Sequence, residues 1–376
     1  MELKELRDEI DRIDDEMAEL FEKRAAVAVK VAEYKREHNM AVYQGGREEE
    51  VLQKISRTVS PELRDGARLL FTNLMDISKC RQQQLLTEIK PFSISEATDM
   101  PTVGAVTKGS YTADACEKFF GDKCKVVYFK DFASVFKAVE SGETDYGVLP
   151  IENSTAGDVG ATYDLMLRHN FYVCKSTKIR INHVLAAKKG TDISEIKVVS
   201  SHEMALKQCS KFLEEKKFAF SEASSTAKAA EETASSADRS IAAVCSASCA
   251  KLFGLEPIAT DITDIRDNYT RFMMISRELQ VPEKASVVSL CLTVPHTAGS
   301  LYRILTRFAY CGLNLCRIES KPMPDHFAYL KDDAFDFIFY LDFIGSIRDE
   351  KVVKLLTGLE KEMKFYRFLG NYEETE

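Results

Sequence analysis

The fold of the N-terminal region is decided by residues 3–35, LKELRDEIDRIDDEMAELFEKRAAVAVKVAEYK. Apolar side chains recur along this stretch at alternating spacings of three and four residues, which is typical of one buried face of an α-helix. The members of this apolar stripe are Leu3, Leu6, Ile10, Ile13, Met17, Leu20, Val27, Val31 and Tyr34. We therefore predict a long helix that buries the stripe in an all-α N-terminal domain.

Arg24 interrupts the stripe. A guanidinium group stays charged and is costly to bury unless an anion meets it. Lys35 follows eleven residues later, so it points in roughly the same direction about 16 Å further along the axis. Together the two cations predict a cavity for a small dianion. For Arg24 alone, the alternatives are a structural ion pair or a side chain that extends to water.

Arg7 precedes Arg24 by seventeen residues on the same predicted helix. This spacing places it roughly 25 Å away and about 100° around the axis. Within one chain, Arg7 and Arg24 therefore cannot bind the same ligand. If Arg7 acts at such a site, it acts in the site of a partner, which implies an antiparallel, intertwined dimer.

Residues 1–90 resemble the all-helical chorismate mutases. The resemblance rests on Leu6-Arg7-Asp8-Glu9-Ile10, Glu22-Lys23-Arg24, Tyr34-Lys35, Arg47-Glu48, and Ser78 followed by Gln82. It implies that the substrate carboxylates bind Arg24 and Arg7 of a partner, and that the ether oxygen binds Lys35 and Gln82. The ring hydroxyl would bind Glu48, and Arg47 would orient Glu48 or add positive potential. Ser78 would also bind substrate. Gln44 stands where well-known members carry an aspartate.

Composition limits the classes of function that remain. A chain of 376 residues predicts two or three domains. The net charge of −8 argues against nucleic acid as the main partner. No apolar run approaches the roughly 18 residues of a membrane helix, and no signal segment is recognised, so we expect a cytoplasmic protein with no membrane partner.

The ten cysteines include no CxxC pair. Cys245 and Cys249 are spaced as a possible metal-binding pair on a helix, but no second pair lies near them. Reduced structural thiols are the favoured interpretation. We therefore expect no metal.

After a predicted third helix, Glu62 to Ile89, and a linker over residues 91–101, strands and helices alternate over residues 102–280. This α/β region reads as two similar copies with a ligand cleft between them. The predicted strands are Thr102–Val106, Lys125–Phe129 and Tyr146–Leu149 in the first copy, and Ile196–Ser200, Phe218–Phe220 and Ser240–Val244 in the second. The alternative is that any such βαβα run resembles another.

Residues 285–376 show the order βαββαβ, which predicts a ferredoxin-like plait. The predicted elements are strand Ser286–Val294, helix Gly299–Tyr310, strands Leu313–Lys321 and Phe335–Phe343, helix Asp349–Met363 and strand Phe365–Leu369. Plaits of this kind recur as small-molecule sensors, but the fold alone does not establish that function.

The α/β region resembles the prephenate dehydratases. The motifs are Gly109-Ser110-Tyr111, Pro150-Ile151-Glu152-Asn153-Ser154, Ser201-His202, Gln208-Cys209 and Thr270-Arg271-Phe272. Taken alone, residues 149–157 could be a polar turn. The resemblance implies that Thr270 assists departure of the ring hydroxide and that Asn153, Ser201 and Gln208 position the substrate. The sequence departs from the family at Val106-Thr107-Lys108 and Glu203-Met204.

The plait resembles the ACT domains of the same enzymes, which bind phenylalanine between two such domains. The matching segments are Gly299-Ser300-Leu301 and Glu319-Ser320-Lys321-Pro322, with Lys321 in place of an arginine. The resemblance implies that Gly299, Ser300, Leu301, Glu319 and Ser320 bind phenylalanine in a homodimer or higher homo-oligomer. We expect weaker inhibition of the mutase than of the dehydratase, because the mutase helices form a separate module.

The order of the three regions is that of the bifunctional chorismate mutase/prephenate dehydratase family. It implies phenylalanine biosynthesis from chorismate through prephenate to phenylpyruvate, with no cofactor. Two alternatives remain open at this point. The dehydratase substrate could be arogenate, or the chain could be a non-catalytic amino-acid sensor, since two α/β lobes and a plait would suit one.

Overall fold

The computed structural model describes residues 2–38, 40, 45–89, 91–155, 157–324, 327 and 337–375. The chain divides into two compact units. Unit 1 consists of residues 1–92 with 287–368, and unit 2 of residues 93–286 with 369–376. The N-terminal helices and most of the βαββαβ segment therefore lie in one unit.

The elements follow the predicted order with several additions. The helices are α1 Leu3–Glu37, α2 Gly45–Thr58, α3 Arg64–Leu86, α4 Tyr111–Phe120, α5 Phe132–Ser141, α6 Gly160–Arg168, α7 Glu203–Gln208, α8 Ser210–Lys216, α9 Thr226–Ser235, α10 Ala247–Leu252, α11 Ser300–Tyr310 and α12 Glu350–Glu362. The strands are β1 Thr102–Val106, β2 Lys125–Phe129, β3 Tyr146–Asn153, β4 Gly157–Asp158, β5 Tyr172–Arg180, β6 His183–Lys188, β7 Val198–Ser201, β8 Ala219–Glu222, β9 Ile241–Ser246, β10 Leu255–Ala259, β11 Tyr269–Ser276, β12 Val287–Thr293, β13 Leu315–Pro322, β14 Phe337–Ile344 and β15 Tyr366–Thr375.

The apolar stripe of α1 is exposed along the whole helix, contrary to the prediction, and Val27, Val31 and Tyr34 of its second half are 58%, 42% and 56% exposed. Leu3, Ile10 and Leu20 are 64%, 56% and 63% exposed. Partial burial begins near Arg24, where α1 packs on α3. Among the described residues of this chain, no element covers the first half of the stripe.

Unit 2 contains the two α/β lobes. In the first lobe the strand order is β5-β11-β3-β1-β2, and β1 runs parallel to both β2 and β3. In the second lobe the order is β10-β6-β9-β7-β8, and β7 runs parallel to both β8 and β9. The first strand of each predicted copy is thus flanked by the two that follow it, as expected of related halves.

Two features of unit 2 were not predicted. Strand β3 continues past Leu149 as far as Asn153, because it keeps pairing with β11 beyond that point. The segment from β5 to β6 passes from the first sheet to the second with only Ile181 and Asn182 between the two strands. The two sheets are therefore joined by a very short connection.

In unit 1, β14 lies antiparallel between β12 and β13, and the strand order β13-β14-β12-β15 is that of a ferredoxin-like plait. The plait packs against α3. A Cβ atom added at Gly358 in α12 would lie 3.0 Å from Oε1 of Gln83 in α3, and Gln84 contacts Cys311 at 3.8 Å. The mutase-like helices and the plait are therefore not separate modules, and the reason for expecting weak inhibition of the mutase does not hold.

Within the described ranges, no helix is long and apolar enough to cross a membrane. All ten cysteines are free thiols. Cys245 lies at the end of β9 and Cys249 in α10, so the two do not form the helical pair that their spacing suggested. No group of three metal-binding side chains occurs in the part of the chain that the structure describes.

Candidate active sites

A cavity of about 600 Å³ lies between α1, α2 and α3. Its walls include all the predicted mutase residues except Arg7. The lining residues are Lys23, Arg24, Val27, Ala28, Val31, Lys35, Arg47, Glu48, Val51, Met75, Ser78, Lys79 and Gln82. Sequence reasoning missed Lys79, whose side chain is buried one residue after Ser78.

Arg24 enters this cavity from α1. Its Nη1 donates to the carbonyl oxygen of Leu74 at 2.8 Å and to Oγ of Ser78 at 2.5 Å. Burial lowers the pKa of its guanidinium group. Because both acceptors are neutral, no carboxylate among the described residues compensates its charge directly, which is the arrangement expected at an anion site rather than in a structural ion pair.

Lys35 is buried at the other end of the cavity, with 9% of its surface exposed. Burial lowers the pKa of its ammonium group, the nearby carboxylate of Glu48 raises it, and the charge of Lys79 lowers it. A bound anion would restore the pKa of Lys35 by the same electrostatic rule. Gln82 is also buried, one helical turn after Ser78.

Glu48 is held by two cations. Its Oε1 lies 2.6 Å from Nζ of Lys79, and its Oε2 accepts from Nη2 of Arg303 at 3.0 Å. Both cations also bind Asp76, Lys79 at 3.1 Å and Arg303 at 2.8 Å. Arg47 donates to Glu50 at 2.8 Å and does not orient Glu48 in this structure. The other expected role, a contribution of positive potential, stays a prediction, and Arg47 does line the cavity.

Arg7 lies on the exposed part of α1, outside the cavity. This position agrees with the geometric argument that it cannot reach the site of its own chain. Gln44 lies outside the described residues.

In unit 2, Asn153 and Thr270 are brought together as paired residues of β3 and β11. The Nδ2 group of Asn153 donates to Oγ1 of Thr270 at 2.9 Å and to Oδ1 of Asn268 at 2.8 Å. The Oδ1 atom of Asn153 accepts from the backbone N–H of Thr155 at 3.0 Å, which fixes the orientation of the amide. Thr270 therefore accepts one hydrogen bond and keeps its own proton available to donate.

Ser201 and Gln208 lie in the second lobe and do not contact Asn153 or Thr270. Ser201 is fully buried, and its hydroxyl donates to the carbonyl oxygen of Val244 at 2.6 Å. In this conformation it is therefore not presented to a ligand. Its position at the carboxyl end of β7 still places it at the edge of the sheet where the parallel strands end.

Gln208 contacts His183, which sequence reasoning missed. Nε2 of His183 and Oε1 of Gln208 are 3.1 Å apart, and Nδ1 of His183 lies 3.2 Å from the hydroxyl of Tyr111. Burial lowers the pKa of His183, and the hydrogen bond with Gln208 partly opposes this. Tyr111 belongs to the predicted Gly109-Ser110-Tyr111 motif, so this chain of contacts links the two lobes.

Two residues of the loop before α4 have left-handed backbone conformations. Gly109 has a φ of +81°, and a Cβ atom there would lie 3.0 Å from Leu252 of the second lobe. Thr107, in the divergent Val106-Thr107-Lys108 segment, has a φ of +42°. This loop therefore holds a residue other than glycine in a left-handed conformation, at a cost in backbone strain.

In the plait, a cavity of about 350 Å³ lies at the start of α11. Gly299, Ser300 and Leu301 line it together with aromatic residues of β14. Glu319 and Ser320 do not line this cavity. They lie on β13, which pairs with β14 on the side away from β12. The structure therefore brings the loop residues together and leaves Glu319 and Ser320 on the neighbouring edge strand.

Comparison with known proteins adds family information to this geometry. The model of the chorismate mutase type II family matches residues 6–83, and that of the prephenate dehydratase family matches residues 106–280. A bifunctional chorismate mutase/prephenate dehydratase of Aquifex aeolicus is 33% identical over 378 residues, which covers 99% of this chain and 98% of the relative. An arogenate dehydratase/prephenate dehydratase of Arabidopsis thaliana is 35% identical over 294 residues, covering 75% of this chain and 77% of the relative.

A solved structure is also similar. The prephenate dehydratase of Arthrobacter aurescens in complex with L-Phe superimposes with a TM-score of 0.64 at 30% identity, covering 72% of this chain and 89% of that one. The similarity to the Aquifex aeolicus enzyme extends over nearly the whole of both chains. The chain therefore belongs to the bifunctional chorismate mutase/prephenate dehydratase family.

Proposed function

We propose that this chain rearranges chorismate to prephenate and then converts prephenate to phenylpyruvate, with feedback inhibition by phenylalanine. One observation carries the proposal: Arg24, Lys35, Glu48, Ser78 and Gln82 converge on one cavity in the family's predicted arrangement. The rearrangement is unimolecular and needs no nucleophile or cofactor. It needs a site that holds a compact dianion and stabilises charge separation as the ether bond breaks.

The mutase residues divide these tasks. Arg24 binds one carboxylate of chorismate, because it is half-buried and paired only with neutral oxygens. Lys35 and Gln82 donate to the ether oxygen as negative charge grows on it. Glu48 accepts from the ring hydroxyl, since each of its carboxylate oxygens retains a lone pair beside its bound cation.

A second copy of the chain completes each mutase site. The exposed apolar stripe on the first half of α1 supports this dimer, because Leu3, Ile10 and Leu20 leave a continuous apolar face uncovered. Arg7 lies on the same half of the helix. In an antiparallel pair of such helices, Arg7 of one chain reaches the Arg24 end of the other and binds the second carboxylate.

The dehydratase reaction removes CO₂ and the ring hydroxyl from prephenate, and formation of the aromatic ring drives it. The electron pair of the breaking C–CO₂ bond enters the ring as the hydroxide leaves. Thr270 donates a hydrogen bond to the departing oxygen, and Asn153 holds Thr270 in the orientation that leaves its proton free. A threonine hydroxyl is too weak an acid to transfer a proton by itself, so we assign it a polarising role.

Gln208 is assigned to substrate positioning through His183. The buried imidazole fixes the carboxamide oxygen of Gln208, which leaves the amide nitrogen as the group to bind a substrate carboxylate or hydroxyl. We also assign Ser201 to substrate positioning. In that role, its hydroxyl has to break the hydrogen bond to the carbonyl oxygen of Val244 when substrate binds.

Phenylalanine binding is assigned to the cavity at Gly299–Leu301, where a left-handed glycine begins α11. Backbone N–H groups at a helix start suit a carboxylate, and the aromatic residues of β14 suit a phenyl ring. We assign Glu319 and Ser320 to the second domain's side of a site shared by two plaits, because they lie on an edge strand outside this cavity.

Chorismate supplied to the purified full-length chain tests the proposal, with prephenate and phenylpyruvate followed together. Phenylpyruvate is read by its absorbance in alkali. A sensor protein would form neither product. Arogenate and prephenate offered separately decide the dehydratase substrate, and prephenate is preferred here because the same chain makes it. Faster turnover of arogenate would reverse that preference.

A further inference from the structure

The ion pairs around Glu48 cross from the mutase helices to the plait. Glu48 lies in α2, Asp76 and Lys79 lie in α3, and Arg303 lies in α11. Arg303 reaches both carboxylates, with Nη2 3.0 Å from Glu48 and Nε 3.0 Å from Oδ2 of Asp76. A plait residue is therefore in direct contact with a carboxylate that we assign to the mutase reaction.

These four side chains are electrically balanced among themselves, and Lys35 is a further cation near Glu48. Two carboxylates, Glu48 and Asp76, meet two cations, Lys79 and Arg303, in a largely buried environment. Asp76 is 2% exposed and Lys79 is 7% exposed. Removal of one cation would leave a net negative charge in this cluster, next to the cavity that has to bind a dianion.

The position of Arg303 is fixed by further contacts. Its backbone N–H donates to the carbonyl oxygen of Gly299 at 3.0 Å. Its guanidinium binds Asp76 through both Nε and Nη2, a fork that a lysine cannot reproduce. The carboxylate of Asp76 thus orients the fork, and the fork presents Nη2 to Glu48.

We propose that Arg303 of the plait is a positioning residue of the mutase reaction, which holds Glu48 for the ring hydroxyl and balances the carboxylates of Glu48 and Asp76 beside the chorismate cavity. The inference rests on the proposed mutase function. It adds a residue from a different part of the chain to that active site. It also makes the mutase depend on contact between α3 and the plait.

Charge neutralisation gives the proposal a distinctive test. In Arg303→Gln the cluster carries one net negative charge, so we expect KM for chorismate to rise by about tenfold or more, with a smaller fall in kcat. Adding Asp76→Asn restores neutrality, and we expect it to recover most of the loss in KM. A residue with a purely structural role would instead show a larger defect in the double variant.

Matched variants complete the design. Arg303→Lys keeps the charge but loses the fork, so an intermediate KM is expected. Arg307→Gln is the control, because Arg307 lies one turn further along α11 and its carboxylate partner, Glu362, also binds Gln83 of α3 but no residue assigned to the mutase reaction. We expect its KM for chorismate to equal that of the wild type. Dehydratase activity, measured in every preparation, reports on folding of the full chain.

Several results would overturn the inference. Mutase kinetics within twofold of wild type in folded Arg303→Gln would do so, as would a double variant no better than the single one. If Arg303→Gln does not fold, wild-type mutase kinetics in Arg303→Met, which also removes the charge, would have the same force. If the wild type did not turn over chorismate, the proposed function would be overturned as well. If chorismate turnover did not depend on Arg303, only this inference would be overturned.

Discussion

Replacement of Thr270 by valine tests the dehydratase mechanism most directly. Valine keeps the branched shape of threonine and its place in β11, but it removes the hydroxyl that we assign to the departing oxygen. The loss of one oriented donor to a developing oxyanion costs about 10²–10³ in kcat in other enzymes. We expect a decrease of that order in dehydratase kcat, with KM changed little.

The structural cost of the same change is small. The substitution removes the 2.9 Å hydrogen bond from Asn153 to Thr270. The Nδ2 group of Asn153 keeps Oδ1 of Asn268 at 2.8 Å and the carbonyl oxygen of Tyr269 at 3.3 Å as acceptors. Because no buried donor is left without a partner, the free energy of unfolding should fall by only about 0.5–1.5 kcal/mol.

The assay compares two activities, dehydratase and mutase, in matched proteins. Phenylpyruvate formation at saturating prephenate gives kcat, and chorismate turnover in the same preparation reports on the mutase, which Thr270→Val should leave unchanged. Thr177→Val is the control, because Thr177 is a buried β5 threonine whose hydroxyl donates to Thr375 at 3.0 Å. A dehydratase kcat within twofold of wild type in folded Thr270→Val would remove Thr270 from the mechanism.

Three further predictions concern other parts of the molecule. Arg7→Ala and Arg24→Ala should each abolish mutase activity, and subunit exchange between them should restore part of it; proven exchange without complementation would refute the shared site. Gly299→Val should remove phenylalanine inhibition and leave uninhibited rates near normal, because the φ of +84° is strained for valine although no atom lies within 4 Å of the added Cβ; no phenylalanine binding by calorimetry at millimolar concentration would make the plait an assembly domain only. Burial lowers the pKa of His183 below 6.5, so the folded state favours the neutral imidazole. The resulting stability is present above the unfolded-state pKa and should be lost as pH falls through the folded-state pKa. In His183→Gln, the free energy of unfolding should depend less on pH in this range, and an unchanged pH dependence would contradict the assignment.

The elements with regular apolar periodicity could be predicted because burial of one face is a local property of the sequence. The order of strands in both lobes and in the plait follows from such patterns together with short connections. The pairing of Asn153 with Thr270 was harder to foresee. It depends on the register between β3 and β11, which is set by residues far from either motif, and β3 was expected to end before Asn153.

Ser201 and His183 show what a motif leaves out. The Ser201-His202 motif gives the place of Ser201 at the end of β7, but it does not reveal that the hydroxyl is bonded to Val244 in this conformation. His183 carries no motif and lies at the start of β6, directly after the short crossover between the lobes. Its contact with Gln208 joins residues 25 positions apart, and no periodicity reports such a pair.

The apolar stripe of α1 and the charges around Glu48 were misjudged for a common physical reason. A pattern of apolar residues indicates that one face of a helix favours burial, but it does not indicate which surface covers that face. The prediction placed the covering surface within the same chain. A buried charge likewise states that a counter-charge is needed, but not where it lies. Glu48 and Arg303 are 255 positions apart.

The same reasoning explains why Arg303 is more than an accidental contact of the plait. Arg303 and Arg307 lie one turn apart on α11, and each directly precedes an apolar residue that faces the core, Ile304 and Phe308 respectively. Arginines so close to a core face are costly without carboxylates. Glu362 compensates Arg307 within the plait, whereas Arg303 is compensated by the mutase helices. Separating the two would break the ion pairs of Arg303 with Glu48 and Asp76, so Arg303 links the plait directly to a carboxylate assigned to the mutase reaction.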